Sequence, residues 1–179
     1  MQLLLSHEDG YQVVESRWQY ALEDLVADSE SNQQVLAELS ESQTVVQNLA
    51  QYLREPSAWP VADDRWTVVI QPADELDDFP VELLDRAEIL ILFPAFTDGR
   101  GYSHAATLRQ HFGYSGRLVA VGDIRRDQLE FMRQSGFTAF EITGNDSVEA
   151  MQVSLTELEM PPHRLYSGAA VSAEGRIGS

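Results

Sequence analysis

The sequence predicts an α/β fold in which a small parallel sheet is built from about four βα units. The chain has 179 residues, and 44% of them are hydrophobic, which is typical of a globular protein with one main core. From residue 66 onward, short apolar and β-branched runs alternate with stretches of helical periodicity. The run from Glu88 to Phe93 is apolar after its first residue, as expected of a strand that is buried on both faces.

The predicted elements alternate between strand and helix. Ser103 and Asp123 are predicted helix N-caps, and Gly113 and Gly136 each follow the end of a helix. Four such units favour a parallel sheet with right-handed crossovers, either doubly wound or a half-barrel, and both alternatives stay open. In either case ligands bind at the carboxyl ends of the strands. The predicted strands are 66–71, 88–93, 117–121 and 137–142, and the predicted helices are 79–86, 103–112, 123–136 and 147–158.

The first part of the chain is predicted to be a divergent hairpin and helical segment. Apolar residues at 3–5 and 11–14 flank Asp9-Gly10, a dipeptide typical of hairpin turns. Apolar residues recur at helical spacing between 31 and 54, before a break rich in Pro and Asp. The predicted domains are therefore an N-terminal segment 1–64, an α/β domain 65–160 and a flexible tail 161–179.

Composition excludes several kinds of chemistry. The chain has no Cys, which excludes disulfides, thiolate nucleophiles and iron–sulfur ligation. All twelve basic residues are Arg, so Schiff-base chemistry and a P-loop lysine are excluded as well. The net charge of −17 repels nucleic acid and anionic membranes, and neither is expected as a partner. Because no apolar stretch of about 20 residues and no signal peptide is recognisable, we expect a cytoplasmic protein.

The negative charge is unevenly distributed along the chain. Residues 1–97 carry 19 acidic residues and 4 Arg, whereas residues 98–141 carry 5 acidic residues and 6 Arg. The second stretch lacks the general acidity, which favours a small anion or an acidic partner surface there.

The most unusual segment runs from Phe93 to His104, between a buried strand and a helix. Gly99 and Gly101 allow the backbone to approach a ligand closely, and the helix that follows offers free N–H groups. Arg100 can grip a planar anion through two N–H groups, which implies a phosphate, sulfate, sulfite or carboxylate as ligand. In the structural alternative, Gly99 and Gly101 form a tight turn in which Arg100 pairs with Asp98.

A second polar segment, from Gly122 to Gln128, follows the next strand. Its aspartates can orient the arginines or act as acid–base groups. If the two strand ends are adjacent, Arg100 and one of Arg125 or Arg126 converge on one anion. No catalytic residue is assigned. The predicted ligand-binding residues are Thr97, Asp98, Gly99, Arg100, Gly101, Tyr102, Ser103, Asp123, Arg125, Arg126 and Asp127.

Two other kinds of site compete with the oxyanion site. Residues 99–104 partly match a dinucleotide fingerprint, with Asp123 about 20 residues downstream as the ribose acid, but His104 replaces the third Gly. The four His residues do not have the spacing of metal ligands, and we predict no metal site.

Two stretches of this region, from Phe93 to Ser103 and from Ala120 to Phe137, resemble motifs of the bacterial domain-of-unknown-function 934 family (DUF934). The resemblance runs from about Trp66 to Ile142. Members of this family are commonly encoded beside assimilatory sulfite reductase and are labelled probable oxidoreductases of sulfite reduction. They often carry Cys at the position of Ser135, so the resemblance implies a function that needs no thiol in this chain.

The resemblance implies a role in sulfate assimilation, and two hypotheses stay open. In the first, the protein is an accessory protein that associates with sulfite reductase or another enzyme of sulfate assimilation and binds a small oxyanion. In the second, it is an oxidoreductase that binds a nucleotide or a diffusible redox cofactor at the same site. The sequence identifies no cofactor. Without Cys, the chain cannot hold the iron–sulfur cluster that accompanies a sirohaem.

Overall fold

The computed structural model describes residues 2–7, 10–19, 44–59, 62–142, 150–151 and 153. Within these residues the chain forms one mixed sheet of eight strands. The strands are β1 Gln2–His7, β2 Gly10–Glu15, β3 Trp18–Gln19, β4 Thr44–Asn48, β5 Trp66–Ile70, β6 Glu88–Phe93, β7 Arg117–Gly122 and β8 Ala139–Ile142.

Short helical segments connect the parallel strands. The α-helices are α1 Leu49–Arg54, α2 Arg100–Ala106 and α3 Leu129–Gln134. Helix α2 continues as a π-helical turn over Thr107–His111. Three 3₁₀ turns cover Pro56–Ala58, Val81–Asp85 and Arg126–Gln128.

The strand order is β2-β1-β8-β7-β6-β5-β4-β3. Strands β3 to β8 are parallel, and each pairs with the next along the chain. A doubly wound sheet reverses its strand order at a switch point. This sheet does not, so its connectivity is that of the half-barrel alternative. The predicted N-terminal hairpin is confirmed, and β1 adds to the sheet antiparallel to β8.

The two faces of the sheet carry separate apolar clusters. Alternate residues of each parallel strand point to opposite faces, as in β6, where Ile89 and Ile91 belong to one cluster and Leu90 and Leu92 to the other. The larger cluster also contains the buried side chains of α1, α2 and α3. All three described helices therefore pack on one face, as expected when successive parallel strands are neighbours and every crossover has the same hand.

Two of the predicted helices are wrong in whole or in part. Residues 44–48 form the fully buried strand β4, although Val46 fitted the helical spacing of the region. Thr44, Val45 and Val46 are β-branched, and residues 44–48 pair with β3 and β5. These features favour a strand more strongly than the apolar spacing favours a helix. The helix predicted for 79–86 is a single 3₁₀ turn over Val81–Asp85, which follows Pro80 and buries only Leu83.

The strands predicted from residue 66 onward are confirmed to within two residues at their ends. The division into domains at residue 64 stays a prediction, and the sheet includes strands from both sides of it. Most of the predicted helix at 31–54, most of the one at 147–158 and the tail 161–179 lie outside the described residues. No helix among the described residues is long and apolar enough to cross a membrane.

Candidate functional site

Two loops meet at the carboxyl edge of the sheet, one after β6 (residues 94–99) and one after β7 (residues 123–125 and the 3₁₀ turn that follows). The Phe96 backbone N–H donates to Oδ2 of Asp123 over 3.0 Å, and Nε2 of Gln128 donates to the Phe96 carbonyl over 2.6 Å. The Asp123 N–H donates to the carbonyl of Phe93, the last residue of β6. The sequence-predicted adjacency of the two segments is therefore present, and we call residues 94–103 with 122–128 the loop pair.

An arginine of the second loop stacks on an aromatic ring of the first. The guanidinium of Arg125 lies 3.6 Å from the ring centroid of Phe96. Its Nε lies 4.0 Å from Oδ1 of Asp123, and about half of its side chain is exposed. A stacked guanidinium uses its flat face and keeps the N–H groups at its edge for other partners. The Arg125 edge is thus a hydrogen-bond donor fixed at the surface of the loop pair.

Arg100 of the first loop is held by Asp98. Its Nε and NH2 groups donate to the two carboxylate oxygens over 3.0 and 2.7 Å, and its backbone N–H donates to Oδ1. These hydrogen bonds lower the pKa of Asp98 below its ordinary value. The pairing is the one that the structural alternative predicts. Since 62% of the Arg100 side chain is exposed, its remaining guanidinium edge faces solvent.

Arg100 and Arg125 are held by different aspartates, Asp98 and Asp123. Their convergence on one anion stays a prediction. Arg126 and Asp127 are exposed at the start of the 3₁₀ turn, and Thr97 is exposed in the first loop.

The two glycines beside Arg100 have different surroundings. A Cβ atom on Gly101 would lie 2.5 Å from Cζ of Phe93, so Gly101 allows helix α2 to pack directly on β6. A Cβ atom on Gly99 would meet nothing within 4 Å. The close approach that the sequence predicts for a ligand at Gly101 is therefore made by the ring of Phe93.

Two predicted helix caps are wrong. Helix α2 begins at Arg100, which places Ser103 inside the first turns as an exposed residue. The side chain that binds an N–H group at this helix start is that of Asp98. Asp123 likewise caps no helix, because its carboxylate is engaged by the Phe96 N–H and the next turn begins only at Arg126.

Tyr102 belongs to an aromatic surface between α2 and α3. Its ring centroid lies 5.3 Å from that of Phe93 and 4.7 Å from that of Phe131, which is 57% exposed. Burial raises the pKa of Tyr102, and the nearby Asp127 carboxylate raises it further. Tyr102 is thus a packing residue of the loop pair that lies near the Asp127 carboxylate.

The sequence interpretation missed the environment of His104 and Asp74. Nδ1 of His104 is buried and has no hydrogen-bond partner among the residues that the structure describes, and burial lowers the pKa of the ring. Asp74 follows β5, accepts the Gln71 N–H over 2.7 Å and has its pKa raised by burial. The one signal for this pair in the sequence was that residues 71–74 lie at the carboxyl end of the first predicted strand of the α/β domain.

Further buried polar side chains lie at the same edge of the sheet. Gln71 donates to Oδ1 of Asn48 over 2.8 Å, and the Glu141 carboxylate accepts the Gly122 N–H over 2.8 Å. Each of these polar side chains lies in, or directly after, a strand whose other residues are mostly apolar. The hydrophobic pattern therefore did not identify them as candidate site residues. Among the described residues, no three His, Asp or Glu side chains are grouped as metal ligands.

The model for the family of bacterial proteins of unknown function DUF934 matches residues 67–173. The chain belongs to this family. The DUF934 match includes both segments of the loop pair. It begins within β5, so strands β1 to β4 lie outside it. No curated protein and no solved structure matches this DUF934 chain.

Proposed function

We propose that this protein is an accessory protein of assimilatory sulfite reduction that binds a small oxyanion at the loop pair. The observation that carries the proposal is the contact between the two loops, each of which presents an exposed arginine beside an aspartate that orients it. Guanidinium groups held in place can donate two parallel N–H hydrogen bonds to two oxygens of one oxyanion.

Charge distribution supports an anion at this edge. The loop pair carries three Arg and three Asp and is neutral overall, while the chain as a whole has a net charge of −17. An anion is therefore repelled by most of the surface and least by this part of it.

The role in sulfite reduction rests on the resemblance to proteins that are encoded beside sulfite reductase. A chain without Cys depends on a partner for iron–sulfur chemistry, which favours an accessory function over a complete reductase. The partner is sulfite reductase or another enzyme of sulfate assimilation.

Growth of a deletion strain on sulfate as sole sulfur source tests this function. We expect the unaltered gene to restore growth and Arg100→Ala to fail, with the folding of the variant checked by thermal melting. Arg133→Ala is the matched control, because it also removes an exposed Arg with a carboxylate partner, here Glu130. Full growth with a folded Arg100→Ala protein would contradict the proposal.

One observation favours a second candidate, an oxidoreductase that binds a nucleotide or a diffusible redox cofactor at the same site. Phe96 of the loop pair and Phe131, which packs against Tyr102, both have partly exposed rings, and flat heterocycles stack on such rings. Titration of the protein with NADPH and with flavin mononucleotide, followed by cofactor fluorescence, separates the two candidates. Saturable quenching or enhancement that Phe96→Ala removes would favour the enzyme.

A further inference from the structure

A cavity lies at the amino edge of the sheet, the edge opposite the loop pair. It has a volume of about 150 Å³ and is formed where Arg17 precedes β3, Trp66 and Thr67 begin β5, and Glu88 begins β6. A cavity of this volume accommodates a ligand about the size of benzene, with about six non-hydrogen atoms.

Two charged side chains in its wall are more than nine-tenths buried. Arg86 is 7% exposed, lies 4.5 Å from the ring centroid of Trp66 and donates to the Asp63 carbonyl over 2.7 Å. Glu88 is 5% exposed and accepts hydrogen bonds from Trp18 over 2.8 Å and from Arg117 over 3.3 Å. Charged groups of this kind stay buried only where hydrogen bonds and opposite charges hold them in place, so the polar wall is rigid.

Side chains of both signs at the rim are exposed. About half of the Arg17 side chain is exposed, and its NH2 group lies 3.6 Å from Oε1 of Glu88. Burial lowers the pKa of Arg86 and the nearby Arg17 guanidinium lowers it further, while the carboxylates of Asp63 and Asp64 raise it. Asp64 and Asp85 line the same cavity as exposed carboxylates.

This arrangement of charge discriminates among small ligands. A simple anion would meet the carboxylates of Asp64, Asp85 and Glu88, and a simple cation would meet the guanidinium groups of Arg17 and Arg86. A ligand that carries both charges a few bonds apart can place its carboxylate by an arginine and its ammonium by an aspartate. Such a match of potentials gives specificity even where each contact is individually weak.

We propose that the cavity between Arg17, Arg86 and Asp85 binds a small zwitterion, namely a free α-amino acid with a short side chain. Its carboxylate binds the guanidinium of Arg17, which turns from its long contact with Glu88, and its ammonium binds the carboxylates of Asp64 and Asp85. The wall formed by Arg86, Trp66 and Glu88 limits the size of the ligand. This site is separate from the loop pair and does not depend on the function proposed there.

Isothermal titration calorimetry of the full chain with glycine and L-alanine tests the proposal. Saturable binding is expected, and it should weaken about ten-fold or more for N-acetylglycine, which lacks the ammonium, and for glycinamide, which lacks the carboxylate. Arg17→Gln and Asp85→Asn should each weaken glycine binding to a similar extent. Both residues are exposed, so the variants are expected to fold, which thermal melting verifies.

Two controls make the same changes of charge elsewhere. Arg133→Gln matches Arg17→Gln, and Asp77→Asn, at an exposed loop position, matches Asp85→Asn. Both controls should bind glycine as the unaltered protein does. No saturable heat with glycine or alanine up to about 10 mM, where even a millimolar site is filled, would overturn the proposal. Equal affinity for N-acetylglycine, or unchanged binding by Arg17→Gln and Asp85→Asn, would overturn it as well.

Discussion

The ring of Phe93 occupies the space that a side chain at position 101 would need. A Cβ atom on Gly101 would lie 2.5 Å from Cζ of this ring, which is fully buried in the larger apolar cluster. Gly101→Ala should therefore lower the free energy of unfolding by about 1–3 kcal/mol, because neither the strand nor the helix can move without disturbing packed neighbours. Equilibrium unfolding in urea measures this change.

Gly99→Ala is the matched control for that variant. Its Cβ would meet nothing within 4 Å, and its φ of −81° is accessible to any residue. We expect its stability to be unchanged or slightly raised. An equal loss of stability in both variants would contradict the packing of α2 on β6.

Arg109 is expected to be the most important arginine for stability. Its guanidinium donates to the carbonyls of Gly136, Tyr114 and Gly116 over distances of 2.6 to 3.0 Å, so it joins the end of α2 to the loop before β7 and to the end of α3. Arg109→Met leaves these half-buried carbonyls without their donor and should cost about 2–4 kcal/mol in urea unfolding.

Arg133→Met is the comparison for Arg109→Met. Arg133 is exposed and forms an ion pair with Glu130 one turn away on the same helix. Exposed pairs contribute about 0–1 kcal/mol, so this variant should unfold almost as the unaltered protein does. If Arg109→Met were no more harmful than Arg133→Met, the bridging role of Arg109 would be wrong.

Leu92→Asp should prevent folding. Leu92 is 1% exposed on the central strand β6, and an aspartate there would be a buried charge without a partner. Val81→Asp, at a position that is 68% exposed, should give soluble protein with a cooperative thermal transition. Soluble Leu92→Asp protein that melts cooperatively would contradict the placement of β6.

The stability of the protein should depend on the protonation of His104. Burial lowers the pKa of the ring below its ordinary 6.5 despite the nearby Asp74 and Asp98 carboxylates, and Arg100 lowers it further. The folded state therefore binds this proton less readily than the unfolded state. The contribution of the neutral ring is present above pH 6.5 and is lost as the pH falls toward the folded-state pKa.

His104→Gln removes this titration. The free energy of unfolding of the variant, relative to that of the unaltered protein, should rise as the pH is lowered from about 7.5 to about 5, a range that contains the ordinary His pKa. A difference between the two proteins that stays constant over this range would show that His104 is not shielded from solvent as described.

The parallel strands β5 to β8 could be predicted from the sequence because each is a short apolar run bounded by turn residues. The run Ile89 to Phe93 is an example, and it is buried at every position. The strand β4 could not, because Val46, Leu49 and Leu53 fit a helix equally well, and only the pairing with β5 decides the matter.

The meeting of the two loops could be predicted as well, since polar residues after neighbouring parallel strands meet at one edge. The Arg100–Asp98 pair was one of the predicted alternatives, but the partner of Asp123 could not be predicted. Whether Asp123 caps a helix or binds the Phe96 N–H depends on the path of the other loop, which lies 27 residues away in the chain. The electrostatic environment of His104 depends in the same way on Asp74, which follows β5.

Calorimetric titration of the protein with sodium sulfite at low salt is the most direct test of the oxyanion site at the loop pair. We expect one-to-one binding that Arg100→Lys weakens about ten-fold or more, equivalent to about 1.4 kcal/mol, because Lys keeps the charge and loses the planar two-point contact. Arg133→Lys should bind sulfite as the unaltered protein does. Absence of saturable binding, or equal affinity of the folded Arg100→Lys protein, would contradict the account.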